Sequence, residues 1–145
     1  MQNLPHTYTV TAAAGPSGPV PLSSDGLPIL QSAPPPQFGG PGNVWSPETL
    51  LCAAVADCLV LTFRAITRAS GFEWLDLNCR TQAVLDRADG ATRFTRFDTH
   101  AVLVVPAGAD VEKARRLLER SERTCLVSSS LTGEKHLTVE VRYAG

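Results

Sequence analysis

Between Ser46 and Gly71 the chain reads "SPETLLCAAVADCLVLTFRAITRASG", and no other stretch limits the possible fold as much. Ser46 is an N-cap residue, Pro47 fits the first helical position, and Glu48 places a negative charge in the first turn, where it complements the helix dipole. Gly71 is the natural stop. These bounds predict a helix of roughly 24 residues, ~36 Å long at 1.5 Å per residue. From Leu50 to Phe63 the helix is apolar nearly all round, which requires burial on most sides. A chain of 145 residues has little material to surround such a helix, so a second chain is expected to help cover it.

The elements around it are α+β. "HTYTVTAAA" (6–14) alternates as a half-buried strand and is followed by the turn "GPSG". Nine of the eleven prolines and six of the eleven glycines lie between residues 15 and 47. "LPILQ" and "FGG" interrupt that segment with apolar residues and charge is nearly absent. Residues 15–45 therefore read as an ordered, extended arm with one short strand, inside a single domain spanning 1–145. "WLDLNCRTQAVL" (74–85) and "RFTRFDTHAVLVV" (93–105) are strands joined by a hairpin turn in "DRADGA". "ADVEKARRLLERSE" (109–122) is an amphipathic helix with Val111, Ala114, Leu117 and Leu118 on one stripe. A short helix follows in "TCLVSSSL" (124–131), with Thr124 as its candidate cap, and "HLTVEVRY" (136–143) closes the chain as a strand. The expected architecture is a long central helix and a second helical segment packed on an antiparallel sheet.

Charge and composition exclude several functions. A net charge of −1 gives no electrostatic reason for nucleic acid or an anionic membrane to bind. The start, "MQNLPHTYTV", lacks the basic and apolar regions of a signal peptide. The longest apolar run, Leu50 to Phe63, is short for a bilayer and is broken by Asp57. A cytoplasmic protein is expected, in which the four cysteines at 52, 58, 79 and 125 are free, catalytic or redox-active rather than structural disulfides. Metal is not expected: no Cys-x-x-Cys occurs, and His6, His100 and His136 are scattered singly. "LTGEKH" lacks the upstream glycine of a phosphate loop and reads as a turn. No Gly-x-Ser-x-Gly elbow supports a serine nucleophile.

Among the thiols, Cys125 has the most suggestive surroundings. It opens a short helix, whose free N–H groups favour a thiolate, and Arg120 and Arg123 are close in sequence. Its alternative role is a small buried hydrophobe. Cys58 lies mid-helix, where its own helix end cannot activate it, and by itself suits the core. Cys52 is six residues earlier, about 120° away around a helix of ~3.6 residues per turn, so the two cannot bridge within one helix. Cys79 alternates with Leu77 and Thr81 and reads as sheet packing. Glu48 precedes Cys58 by ten residues, ~15 Å along a helix. Their side chains cannot meet within one chain, but they can across a two-fold axis.

"GGPGNVWSPETLLCAAVADCLVLTFRAI" (39–66) resembles the signature of the OsmC/Ohr family: a glycine-rich loop, Ser/Asn-Pro-Glu, an Ala-rich helix, and a cysteine ten residues after the glutamate. "TCLVSSSL" is similar to the family's second cysteine segment, and the separation of Cys58 from Cys125 is close to the usual one. The resemblance implies an intertwined homodimer with active sites at the subunit interface. It implies thiol-dependent reduction of organic or lipid hydroperoxides without a cofactor. Cys58 is then the peroxidatic thiolate, Cys125 the resolving thiol, Glu48 part of the site, and an external dithiol the reductant.

One departure bears on activity. The family's peroxidases carry an arginine in the early turn, commonly Gly-Arg-Asp-Gly, which pairs with the glutamate and holds the cysteine as thiolate. Here that turn holds Pro16 and Ser17, and no arginine occurs before Arg64. Without a cation, a buried Cys58 is expected to have a raised pKa. Arg64, Arg68 and Arg80 are the candidate substitutes. Loss of the arginine favours a non-peroxidatic binder of small apolar ligands or a redox sensor; retention of both cysteines favours the peroxidase.

Overall fold

The computed structural model describes residues 1–145. The chain divides between Leu51 and Cys52 into two compact units. In the first, β1 (Thr11–Ala12), β2 (Val20–Ser23) and β3 (Leu30–Ser32) form an antiparallel meander. The strand expected over 6–14 contracts to two residues. Its alternation needs a surface to face, and every side chain from His6 to Val10 is exposed. After β3 a 3-10 turn, Pro36–Phe38, folds the chain back. Gly40 N–H then donates to Pro35 O at 3.0 Å, and a Cβ on Gly40 would lie 1.6 Å from the Pro34 carbonyl oxygen. Glycine is the residue that fits there. Ser32 bridges to Trp45, and Ala33 N–H donates to Trp45 O at 2.9 Å, which closes the loop directly before the long helix.

That helix, α1 (Pro47–Ser70), has the bounds its sequence predicts. Ser46 Oγ accepts from Thr49 N–H at 3.1 Å, while Ser46 N–H donates to Thr49 Oγ1 at 2.9 Å. This is a reciprocal capping box with threonine in the third helical position. Gly71 ends the helix at φ 62°, a left-handed conformation that favours glycine.

The second unit is built on β4 (Asp76–Ala88), β5 (Ala91–Val105) and β6 (Glu134–Tyr143), in the order β4-β5-β6. β4 and β5 form the expected hairpin. Ala88 pairs with Ala91 across Asp89 and Gly90, both at positive φ, as a two-residue hairpin turn requires. The sheet is not wholly antiparallel, because β6 runs parallel to β5. Between them the chain passes through α2 (Val111–Thr124) and α3 (Leu126–Ser129), a crossover long enough to return the strand in the same direction.

The core of this unit joins Phe63 of α1, Ala101, Leu103 and Val105 of β5, and Ala114, Leu117 and Leu118 of α2. Phe63 meets Trp74 edge-on, with centroids 5.3 Å apart, and Trp74 Nε1 donates to Thr67 Oγ1 at 3.0 Å. Four residues of α1, Val55, Leu59, Phe63 and Thr67, are buried, one turn apart on a single face. The expectation of burial on most sides is not met within one chain: Leu61 is 50% exposed. By length and composition α1 is apolar enough to cross a membrane. The packing of its buried stripe in the core accounts for only one face.

Candidate active site

Cys58 sits in the middle of α1 beside the buried Leu59 and is partly exposed. Cys125, 1% exposed, is the single residue between α2 and α3. It ends the first helix and caps the second, with φ −63° and ψ 117°. Thr124, the expected cap, is instead the last residue of α2, its hydroxyl donating to Arg120 O at 2.9 Å. The break at Cys125 leaves the first N–H groups of α3 without carbonyl partners inside their helix. Two of them, from Leu126 and Val127, favour ionisation of the Cys58 sulfur. The Cys125 thiol also acts on this sulfur, and Thr62 Oγ1 lies 3.9 Å from it, one turn along α1. All four cysteines are free thiols.

This arrangement moves the two thiols apart in acidity. At Cys58 burial works against ionisation. The Cys125 thiol, the Val127 N–H, the Thr62 hydroxyl and the Leu126 N–H together outweigh it, and the pKa falls below its ordinary value. At Cys125 burial is again the largest influence, and the hydrogen bond and charge of Cys58 add to it; Ser128 opposes them but the pKa rises. The sequence pointed the other way, towards Cys125 as the activated thiol and a raised pKa at Cys58. The correction is geometric: the N–H groups that open α3 serve the sulfur of Cys58, which comes from another helix.

Cys79 is pushed up to about 11 by burial, on the face of β4 that packs against the core. Cys52 is also raised, burial outweighing a hydrogen bond from the Ala83 backbone. A small cavity of about 10 Å³ lies against Cys125, with Val55, Leu59 and Phe97 among its walls and Glu122, Lys135 and His136 also lining it. That is about the room of one water.

Glu48 is in the first turn of α1, ten residues before Cys58. It lines an apolar cavity of about 500 Å³ in the first unit, with Ala12, Val20, Leu22, Ala33, Pro35 and Phe38. Its Oε2 is wholly buried and has no hydrogen-bond partner. Residues 1–51 contain no lysine or arginine. Arg64 and Arg68 are exposed on α1 and Arg80 is exposed on β4. None of the three is among the groups that act on Cys58. Sequence reasoning missed Thr62, although its position four residues after Cys58 on a helix was the available signal.

Residues 40–141 match the family model described as OsmC-like protein. The chain belongs to the OsmC family. It is 27% identical over 109 residues to the uncharacterized protein YmaD of Bacillus subtilis, covering 73% of each chain. Among solved structures it is similar to an OsmC-like protein of unknown function from Vibrio cholerae, with a TM-score of 0.83 at 13% identity, covering 92% of this chain and 99% of that one. It also resembles an organic hydroperoxide resistance protein OsmC from Legionella pneumophila, with a TM-score of 0.74 at 24% identity over 96% and 98% of the two chains. OhrB, the organic hydroperoxide resistance protein of Bacillus subtilis, gives a TM-score of 0.67 at 22% identity over 94% and 98%. At these identities the structural likeness is one of fold, the OsmC/Ohr α+β architecture.

Proposed function

We propose that this OsmC-family protein reduces organic hydroperoxides through Cys58 and Cys125. The observation that carries the reading is that two free thiols, one in mid-α1 and one at the α2–α3 break, lie near enough to shift each other's acidity in opposite directions. The lowered pKa favours thiolate at Cys58 and the raised one favours the thiol at Cys125. The Cys58 thiolate attacks the terminal peroxide oxygen, the O–O bond breaks, and the alkoxide takes up a proton and leaves as the alcohol. Cys58 is then a sulfenic acid. The Cys125 sulfur attacks it, the S–S bond forms, and the Cys125 proton leaves with the hydroxyl as water. An external dithiol reduces the disulfide by exchange and is itself oxidised. No cofactor enters these steps. The family's arginine is absent, and the hydrogen bonds around Cys58 offer another route to thiolate.

The working form in this reading is a homodimer in the cytoplasm, where free thiols persist. Its support is the amount of apolar surface left open in one chain, including Leu61 of α1 and Leu27, Ile29 and Phe38 of the arm. Glu48 of one copy then serves the Cys58 site of the other, and the apolar cavity beside it takes the substrate's hydrocarbon tail. Turnover of cumene hydroperoxide with a dithiol reductant tests the activity. Cys58→Ser should abolish it, and Cys125→Ser should stop dithiol-driven turnover after the first peroxide is reduced. Undiminished turnover in Cys58→Ser would refute the reading.

A further inference from the structure

Helical hydroxyls in this chain bond backbone carbonyls three or four residues back, as Ser70 Oγ does to Thr67 O and Ser128 Oγ to Cys125 O. Thr67 Oγ1 donates to Phe63 O at 2.8 Å, Ser121 Oγ to Leu117 O at 2.7 Å, and Thr124 Oγ1 to Arg120 O at 2.9 Å. Each bonds the carbonyl four residues back, the usual resting place of such a group. Thr62 departs from this pattern. Its hydroxyl oxygen lies 3.9 Å from the side chain four residues back, the sulfur of Cys58, rather than on that residue's carbonyl. The half-buried Thr62 stands on α1 itself, so the hydroxyl and the sulfur are held on one rigid element. We propose that Thr62 is a positioning residue that holds the reacting sulfur of Cys58 on α1.

The chemistry of the pair explains why a hydroxyl suits the task. A hydroxyl accepts from a thiol or donates to a thiolate, so it serves both states. Its bond to the charged sulfur is charge-assisted and the stronger of the two, which biases the equilibrium towards thiolate. When Cys58 becomes a sulfenic acid, the same hydroxyl is placed to fix that group's orientation while Cys125 approaches. The other ionisable groups near the pair are Cys125 itself and Glu122, Lys135 and His136, which line the cavity against Cys125. On α1, Asp57 and Arg64 are exposed. None of these charged side chains is among the groups acting on Cys58.

This inference rests on the peroxidase reading for its purpose, but its test needs no peroxide. Iodoacetamide labelling of Cys58 in the full chain, followed by peptide mass against pH, gives the thiolate midpoint directly. Thr62→Val should raise that midpoint and slow labelling below it by the matching factor. Thr62→Ala, which also lacks the hydroxyl and adds no bulk, should do the same and carries the test if the valine variant does not fold. Thr62→Ser should keep the wild-type profile. Unmoved midpoints in a folded hydroxyl-free variant would overturn the proposal, whatever the peroxidase assay shows. A raised midpoint alongside a wild type that never turns over peroxide would uphold it and refute the peroxidase reading instead.

Discussion

The two units of the chain are stabilised on different terms. Residues 52–145 own a core: Phe63, Ala101, Leu103, Val105, Ala114 and Leu118 are fully buried in it. Residues 1–51 bury little beyond Ser32, Ala33 and Ser46, while Leu4, Tyr8 and Ile29 stand 82%, 87% and 64% exposed. The second unit can hold its fold by apolar burial, at about 25 cal/mol per Å² removed from water. The first relies on backbone hydrogen bonds, prolines and one close approach at Gly40. Its order therefore depends on a surface outside itself, and in our account a second copy supplies that surface.

The largest effect belongs to the core. Phe63→Ala should cost about 3–5 kcal/mol, because it empties the contact with Trp74 as well as the centre of the helix–sheet packing. Denaturant unfolding measures it, and a much smaller loss would mean that the two units are less different than described. Gly40→Ala comes next, at about 3 kcal/mol, since its Cβ would strike the Pro34 backbone. Faster proteolytic cleavage confined to residues before Ser46 would show that the damage stays in the arm. Ile29→Ala sharpens the comparison further. A side chain that remains exposed gives almost no change, whereas one covered by a second copy gives about 2 kcal/mol and a concentration-dependent Tm. Light scattering of the wild type should show two chains at low micromolar concentration, and a stable folded monomer would contradict the account.

What was legible in the sequence follows the same division. The bounds of α1 were readable because its signals, Ser46, Pro47 and Gly71, are local. The β4–β5 hairpin announced itself through Asp89-Gly90. The strand over 6–14 was overread, because alternation predicts a half-buried strand but does not say that a surface is present to bury it. The parallel return of β6 depends on where α2 and α3 carry the chain, which no local pattern encodes. At the site, Cys58 and Cys125 were singled out by resemblance, while local sequence pointed to the opposite order of acidity from that in the fold. The N–H groups that act on Cys58 belong to Leu126 and Val127, distant in sequence and brought near by the fold.

The smallest effects are titrations that leave stability nearly untouched. Cys58, lowered, should be the first thiol labelled as pH rises. Cys52, Cys125 and Cys79, all raised and the last to about 11, should follow. The sign follows from thiolate being the reactive form: a lowered pKa means labelling persists to lower pH. Labelling of Cys125 ahead of Cys58 would reverse the assignment of roles.

The measurement closest to the central claim is peptide mapping after brief treatment of the reduced protein with one equivalent of an organic hydroperoxide. The account predicts a disulfide between Cys58 and Cys125, with Cys52 and Cys79 still reduced. A bridge that uses Cys52 or Cys79, or four thiols left unchanged while the peroxide is consumed, would contradict it.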